Sequence, residues 1–474
     1  MNNLDYETLN VEDTTSRDSV QKIVGRQPWR VIALDNLCNF SVSGFDLFIL
    51  NADFAKVNLI TIRKNLNQLP VWDTDEFSTN FFWHPYHGSV LHNSARMYGY
   101  NFYETIPFNF LGSLSWEYFH ENEPPSANDL ITTTIGGSSL GEMTFRISDM
   151  ILDNRSIGFE RVGREVIAGL LSPSRFLTRL VSGKAWTFSR KKGNLLPTEP
   201  VDFEFDTGII YLREKSGRND VGVLARGQLE YGDILKNTIR KPYEWMLLRG
   251  QFELLSGKIR ASQICGIGAL RVHNLLSVRN TSLSAGLFQH FDYYNLKLNM
   301  NDGSVLTPFY ISEAAAIGPG LIWYRKYLNT EMKVRLYANG IGLGASMSDY
   351  FNFDDKDYNT GSGFGFKFFY EFIPSRKLIF SLNAENYQIY TWKGAAKSLY
   401  SMKLTKAEIM QLNIQGDQSK TSLNLIGLKI NYQLSTRTSI SLQGRQYHRH
   451  THYVFFDEMD FSCTEHNISI NYSF

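Results

Sequence analysis

Hydrophobic and polar residues change their spacing near Lys191 of this 474-residue chain. Before that point apolar positions recur at the three- and four-residue intervals of amphipathic helices; after it they alternate with polar positions. The first pattern predicts helices between Pro28 and Trp186, and the second predicts strands from Val201 onward. We therefore expect an α+β protein built from two parts.

The final strand shows the alternation most clearly. Between Thr464 and Phe474, the side chains of Ile468, Ile470, Tyr472 and Phe474 form one apolar face, and asparagines and serines form the other. In bacterial outer-membrane barrels every lipid-facing side chain alternates with a lumen-facing one. The strand therefore favours a transmembrane barrel.

About twelve alternating segments follow Val201, each near the length of roughly ten residues that a tilted spanning strand needs. In the segment Gly363 to Phe372, five aromatic residues share one face. Because an open sheet edge in lipid leaves backbone groups unsatisfied, such a sheet has to close with its charges inside. A soluble β-sandwich is the alternative, since its strands also alternate. The charged residues expected in the lumen are Asp202, Glu204, Arg226, Glu230, Arg249, Glu253, Lys333, Arg335, Lys367, Glu371, Lys429 and Arg445.

The connections between these segments alternate in length. Short links, such as Ser435 to Thr438, separate long ones at Ser348 to Thr360, Lys393 to Lys420 and Val454 to Cys463. Short turns face the periplasm and long loops face outward in bacterial barrels. The weakest strand assignment is Phe309 to Lys326, because its proline would interrupt a central strand unless it lies at a bulge.

Composition adds three constraints. No run of about 20 apolar residues exists, so a membrane helix is not expected. The net charge of +1 does not suggest a nucleic-acid partner. The three cysteines have no metal-like spacing and predict no disulfide framework.

The first twenty residues are polar and lack the apolar stretch of a secretory signal, which conflicts with export.

We expect three regions: residues 1–27 as a disordered or extended N-terminus, residues 28–192 as a helical domain on the periplasmic side, and residues 200–474 as the barrel. The helical domain would plug the lumen or cap its inner mouth. Gly136, Gly137 and Gly141 lie on a helical spacing that permits close helix contact.

Candidate chemistry is confined to the helical part. His84 and His87 are three residues apart, and Glu117 and Glu121 are four apart, so each pair lies on one helix face. If the faces met, the four side chains could hold a divalent metal or act as a catalytic acid and base. Alternatively, they are buried polar residues that join or cap helices.

Three stretches support a family resemblance: WDTDEFSTNFFWHPYHG from Trp72, SLSWEYFHENEPPSANDLI from Ser113, and GGSSLGE from Gly136. Together, in this order, they resemble an outer-membrane family of Bacteroidota labelled only as domain of unknown function 3943. The resemblance covers roughly Trp29 to Trp186. It implies a helical module before a barrel and implies no reaction.

We expect the protein to lie in the bacterial outer membrane, in contact with its lipid. Two functions are possible hypotheses for such a protein. The first is a structural, assembly or transport component whose helical module binds an envelope protein or gates the lumen. The second is an envelope hydrolase or transferase, acting on lipid or cell-wall material through His84, His87, Glu117 and Glu121. The sequence leaves open whether the protein is an enzyme.

Overall fold

The computed structural model describes residues 26–73, 75–235, 238–299, 305–353 and 356–474. Of the N-terminal region expected at residues 1–27, residues 1–25 lie outside the described part. The α-helices before the barrel are α1 (Pro28–Phe48), α2 (Leu59–Leu66), α3 (His84–Met97), α4 (Phe102–Phe119), α5 (Ala127–Ile131), α6 (Gly137–Ile151), α7 (Gly158–Leu171) and α8 (Pro173–Val181). Single π-helical turns at Thr79–Trp83 and Thr132–Gly136 lead into α3 and α6. We call Pro28–Val181 the helical domain.

Twelve strands occupy the described residues from Val201 onward. They are β1 (Val201–Glu214), β2 (Asn219–Tyr231), β3 (Met246–Leu255), β4 (Lys258–Val278), β5 (Thr281–Asn299), β6 (Val305–Tyr327), β7 (Thr330–Met347), β8 (Tyr358–Ser375), β9 (Leu378–Thr391), β10 (Ser419–Gln433), β11 (Thr438–Tyr453) and β12 (Met459–Ser473). A short helix, α9 (Lys406–Leu412), lies in the link between β9 and β10. Each strand pairs with its sequence neighbours, and β1 pairs antiparallel with β12, so the sheet closes into a barrel. The predicted barrel of about twelve strands is confirmed.

Alternation sorts the strand residues between two environments. On β12, the side chain of Ile468 is 54% exposed on the outer face. Glu465, three residues earlier on the same strand, points inward and is fully buried. On β10, Leu428 is 60% exposed. The inside is packed: Lys367 and Arg445 lie among other lumen side chains with at most 7% exposure. Closure excludes the sandwich alternative, because the twelve strands of the described residues form one sheet that closes on itself.

Pro319 lies within β6, and the sheet accommodates it. It is opposite Leu287 of β5, while the pairing with β7 passes from Ile317 directly to Gly320. The missing N–H therefore falls where no partner on β7 is engaged.

The helical domain lies against the outer wall of the barrel. Cys265 of β4 faces the lumen cluster, so its neighbour Gly266 faces outward. A Cβ atom built on Gly266 would lie 2.6 Å from the terminal methyl of Met143 in α6. Outward-facing Leu229 and Met246 join the same apolar cluster as Met143. The expected position inside the lumen or across its inner mouth is therefore replaced by an external one.

Contacts of the helical domain reach both ends of this wall. At the end of the barrel where its first and last strands have their termini, the guanidinium of Arg146 donates a hydrogen bond of 2.9 Å. The acceptor is the carbonyl oxygen of Pro242, in the β2–β3 link. At the opposite end, Trp72 packs edge-on against Trp392, with ring centroids 5.1 Å apart. Among the described residues, no helix has both the length and the apolar character needed to cross a membrane.

Candidate functional site

Three helices bring polar side chains to one place in the helical domain. His84 is the first residue of α3, where Pro85 occupies the first turn. Glu117 lies in the last turn of α4. Asp129 lies in α5, whose N-cap Ser126 accepts a hydrogen bond from the Asp129 amide. The local signals that begin and end these helices therefore set the positions of all three groups.

His84, Glu117 and Asp129 form a compact group. One ligand atom from each of the three lies within 4.8 Å of the others. The imidazole Nε2 of His84 is 3.5 Å from a carboxylate oxygen of Asp129. The three residues are 7%, 0% and 2% exposed, so the group is enclosed. We call these three residues the His–Glu–Asp cluster.

Asp73 and Lys356 adjoin the cluster. The Asp73 carboxylate accepts hydrogen bonds from Asn80 at 2.7 Å and from Asn128 at 2.9 Å. Lys356, in the β7–β8 link of the barrel, donates to the backbone oxygen of Asp73 at 3.1 Å. A barrel residue thus supplies a cation beside the helical domain's polar core.

Glu117 is only half satisfied. Its Oε2 accepts a hydrogen bond from the Ser126 amide at 2.8 Å. Its Oε1 is buried and has no hydrogen-bond partner among the described residues. Leaving a carboxylate oxygen buried without a partner is costly, so this atom calls for a physical explanation.

Burial dominates the electrostatics of the cluster. Burial raises the pKa of Glu117 well above its usual range, and the neighbouring Glu121 raises it further. Burial, together with the charges of Asp73 and Glu117, raises the pKa of Asp129. Burial lowers the pKa of His84 to about 4, so its imidazole is neutral at pH 7. A neutral imidazole can act as a metal ligand.

His87 and Glu121 do not join the cluster. The Nε2 atom of His87 lies 2.8 Å from Oδ1 of Asn39, and burial lowers its pKa to about 3. Glu121 accepts a hydrogen bond from the indole N–H of Trp116. Of the four residues proposed from the sequence, the structure brings His84 and Glu117 together and adds Asp129. His87 instead joins α3 to α1, and the Glu121 carboxylate binds a side chain of the helix that it follows.

Neither Asp129 nor Asp73 was proposed from the sequence as a site residue. A signal for both was present in the motifs WDTDEF and PSANDL, which place acids beside Trp72 and after Ser126. Their proximity depends on the parallel bridge between Val71 and Ser126, a contact between segments 55 residues apart that no local pattern contains.

A second buried polar group surrounds Glu142 in α6. Its carboxylate receives Arg96 at 2.8 Å, Arg146 at 2.9 Å and the Nε2 of His92 at 3.0 Å. The two guanidinium groups hold the pKa of Glu142 at about 2, against the effect of burial. Both oxygens of the Glu142 carboxylate are engaged by these side chains, so the group ties α3 to α6.

Fold and site together define a transmembrane β-barrel that carries a helical domain on its outer wall, with a buried histidine–carboxylate cluster in that domain. Residues 69–174 match the family model described as Domain of unknown function (DUF3943), so this part of the chain resembles that domain family. A comparison with curated proteins finds no match.

Several solved structures are similar over the barrel-sized part of the chain. The NanC porin is 8% identical, with 56% of this chain and 98% of that chain covered and a TM-score of 0.26. OmpT, an outer membrane protein of Vibrio cholerae, is 8% identical, with 58% and 97% covered and a TM-score of 0.25. The Pseudomonas putida toluene transporter TodX is 8% identical, with 59% and 90% covered and a TM-score of 0.23.

Proposed function

We propose that this protein is a structural component of the bacterial outer membrane. Its helical domain, on the outer wall of the barrel, contacts the surrounding lipid. In this proposal the barrel is an anchor and not a conduit. The main support for the proposal is the position of the helical domain. It packs against the outer wall of the barrel, at the level where the uncovered part of that wall is apolar.

The lumen leaves little room for transport. Arg249 on β3 reaches Glu385 on β9, six strands away around the circle, at 3.1 Å. The rings of Phe309 on β6 and Tyr447 on β11 approach to 5.0 Å between centroids. Side chains from opposite walls therefore meet, which supports a closed barrel. Gating of the lumen by the helical domain is not part of the proposal, because that domain lies outside.

Two residues of the β2–β3 link pack into one mouth of the barrel. Ile234 and Trp245, at its two ends, are buried with lumen-facing Ile267 and Phe288. This apolar packing adds a second obstruction at the end that carries the barrel termini.

The outer surface of the helical domain supports contact with lipid. On α7, Phe159 is 97% exposed and Leu170 is 69% exposed; on α1, Phe40 is 66% exposed. A soluble domain rarely presents so many large apolar side chains to solvent. Exposed apolar residues of the bare barrel wall, such as Leu428 at 60%, continue that surface around the molecule. Acyl chains are the occupant that both surfaces share.

Charged residues border this apolar surface. Between Arg30 and Asp46, the one charged residue of α1 is Asp35, which is buried against the rest of the domain. In α4 no charged residue occurs between Glu104 and Glu117. Both helices begin at the end of the barrel that carries its termini, where Arg26 pairs with Glu104 at 2.7 Å. An uncharged middle between charged ends is the pattern expected for a surface at bilayer depth.

An enzymatic role has weaker support. A catalytic group has to reach substrate, but the His–Glu–Asp cluster is enclosed, with at most 7% exposure for any member. The enclosed position of the cluster favours a binding or structural role over a catalytic one.

Lipid contact can be measured by spin-label accessibility. In a variant whose native Cys38, Cys265 and Cys463 are replaced by serine, single cysteines would be introduced for labelling. They would replace Phe40 and Val166 on the helical domain, Leu428 on the bare wall as the lipid control, and the exposed Ser398 in the β9–β10 link as the water control. In the reconstituted protein we expect labels at the first two sites to be accessible to oxygen and shielded from a polar nickel complex, as at Leu428. Accessibility like that at Ser398 would contradict the proposal.

A further inference from the structure

We propose that His84, Glu117 and Asp129 form a binding site for one divalent metal ion of the zinc or manganese class. The site is defined by side chains of the helical domain alone and would stand whether or not that domain contacts lipid.

Ligand chemistry is the first argument. One neutral imidazole and two carboxylates are a donor set that zinc, manganese and iron accept, whereas calcium and magnesium prefer oxygen alone. Zinc bonds of about 2.0–2.2 Å place neighbouring ligand atoms roughly 3.5 Å apart. The His84–Asp129 separation of 3.5 Å already meets that spacing. The full group, within 4.8 Å, needs a contraction of roughly 1 Å around a bound ion.

Charge is the second argument. Asp73, Glu117 and Asp129 are each at most 4% exposed, and Lys356, also buried, is the cation that adjoins them. Buried carboxylates this close to one another repel each other when they are ionised. A divalent cation bound among them would offset that repulsion.

The unpartnered atom is the third and independent argument. Oε1 of Glu117 belongs to a fully buried residue and has no hydrogen-bond partner among the described residues, although Oε2 of the same carboxylate is held by the Ser126 amide. The amide fixes the carboxylate and leaves one oxygen available. That is the arrangement of a metal ligand oriented by a hydrogen bond from its surroundings.

Surrounding contacts would hold the other ligands. Asn128 donates to the carboxylates of both Asp73 and Asp129, at 2.9 and 3.0 Å. Asn80 links Asp73 to the phenol of Tyr358 on β8. A site connected to the barrel in this way would add metal binding to the forces that keep the helical domain on the wall.

The test uses the full-length protein in detergent, stripped with a chelator and reloaded with Zn²⁺ or Mn²⁺. Metal content is measured by mass spectrometry after removal of free ions, and affinity by competition with a metal-binding dye. We expect one ion per chain in the unmodified protein, and at least a tenfold weaker affinity in Glu117→Gln. The control is Glu160→Gln, an exposed glutamate of α7 that pairs with Arg164, which should bind as the unmodified protein does.

A second pair of variants keeps the proposal testable if Glu117→Gln does not fold. His84→Gln should weaken binding, whereas His87→Gln, whose parent residue pairs with Asn39, should not. Co²⁺ absorption spectra report the loss of a nitrogen ligand directly. Absence of bound metal in the loaded, folded protein would overturn the proposal, as would equal affinity in His84→Gln and His87→Gln.

Discussion

Gly137 in α6 lies so close to Gly88 in α3 that a Cβ atom built on Gly137 would sit 2.5 Å from the Cα atom of Gly88. The reverse also holds, because a Cβ atom on Gly88 would lie 1.9 Å from the backbone oxygen of Thr133. This crossing places α3, which begins at His84, directly against the helix that packs on the barrel. The close helix contact predicted from the glycine spacing is present.

Replacement of Gly137 by alanine should separate these two helices. Because the obstructing atoms are backbone, no side-chain rotation relieves the clash, and we expect a loss of about 1–3 kcal/mol or more in stability. The control is Gly163→Ala in α7, where a Cβ atom meets nothing within 4 Å. It should leave stability unchanged or raise it by up to about 1 kcal/mol. Thermal unfolding in detergent, followed by circular dichroism, measures both; equal melting temperatures would contradict the expected clash.

Lys367 should be essential to the packed lumen. Its ammonium, fully buried, pairs with Asp292 and lies 3.1 Å from Glu313. Lys367→Met would leave two carboxylates without their cation, which we expect to cost about 3–5 kcal/mol. Lys403→Met, at an exposed position, should change stability by no more than about 0.5 kcal/mol. Heat-dependent electrophoretic mobility of the folded barrel gives the comparison, and similar transition temperatures would show that the network is not needed.

The reconstituted protein should not conduct ions. Pairs such as Arg249 with Glu385 and Glu230 with Arg335 join opposite walls of the barrel. We therefore expect no unit conductance steps in a planar bilayer at moderate voltage. A general porin inserted in the same way provides the positive control. Regular steps from the purified protein would refute the closed lumen and, with it, the description of the barrel as an anchor.

Asp35 should make stability depend on pH. Burial raises the pKa of this carboxyl well above 3.8, and its Oδ1 has no partner among the described residues. A raised folded-state pKa means that the fold binds the proton more tightly than the unfolded chain does. The stabilisation is therefore complete below pH about 3.8 and is lost as pH rises toward the folded-state pKa.

Asp35→Asn removes this proton linkage, since the amide stays neutral. We expect its melting temperature to exceed that of the unmodified protein by a margin that grows between pH 4 and pH 8. The exposed Glu160→Gln serves as the control and should show no growing margin. Scanning fluorimetry in detergent across this pH range measures the effect, and parallel curves for Asp35→Asn and the unmodified protein would contradict it.

Much of the fold could be predicted from the chain because alternation is a local property. Ile468 and Ile470 lie outside and Asn467 and Ser469 inside for the same reason that they alternate in the sequence: successive side chains of a strand point to opposite faces. The strand number follows from counting such segments, whereas closure is decided by the pairing of β1 with β12. The break between α7 and α8 at Pro173 is equally local, since proline begins a helix more readily than it continues one.

The candidate site was predictable only in part. His84 and Glu117 were identifiable as unusual polar residues on helices, but which polar residues meet depends on how those helices pack. Asp129 reaches His84 because segments around Val71 and Ser126 run side by side. His87, one turn further along α3, turns toward Asn39 of α1 instead.

The sequence by itself determined which residues of each strand share a face, and this alternation favoured a barrel over a sandwich. Periodicity decides this because it depends only on neighbouring residues. The tertiary structure alone decided that the helical domain lies on the outer wall. An apolar outward side chain satisfies lipid and protein equally well, so nothing in the pattern around Leu229 or Met246 distinguishes a wall covered by helices from a wall covered by acyl chains.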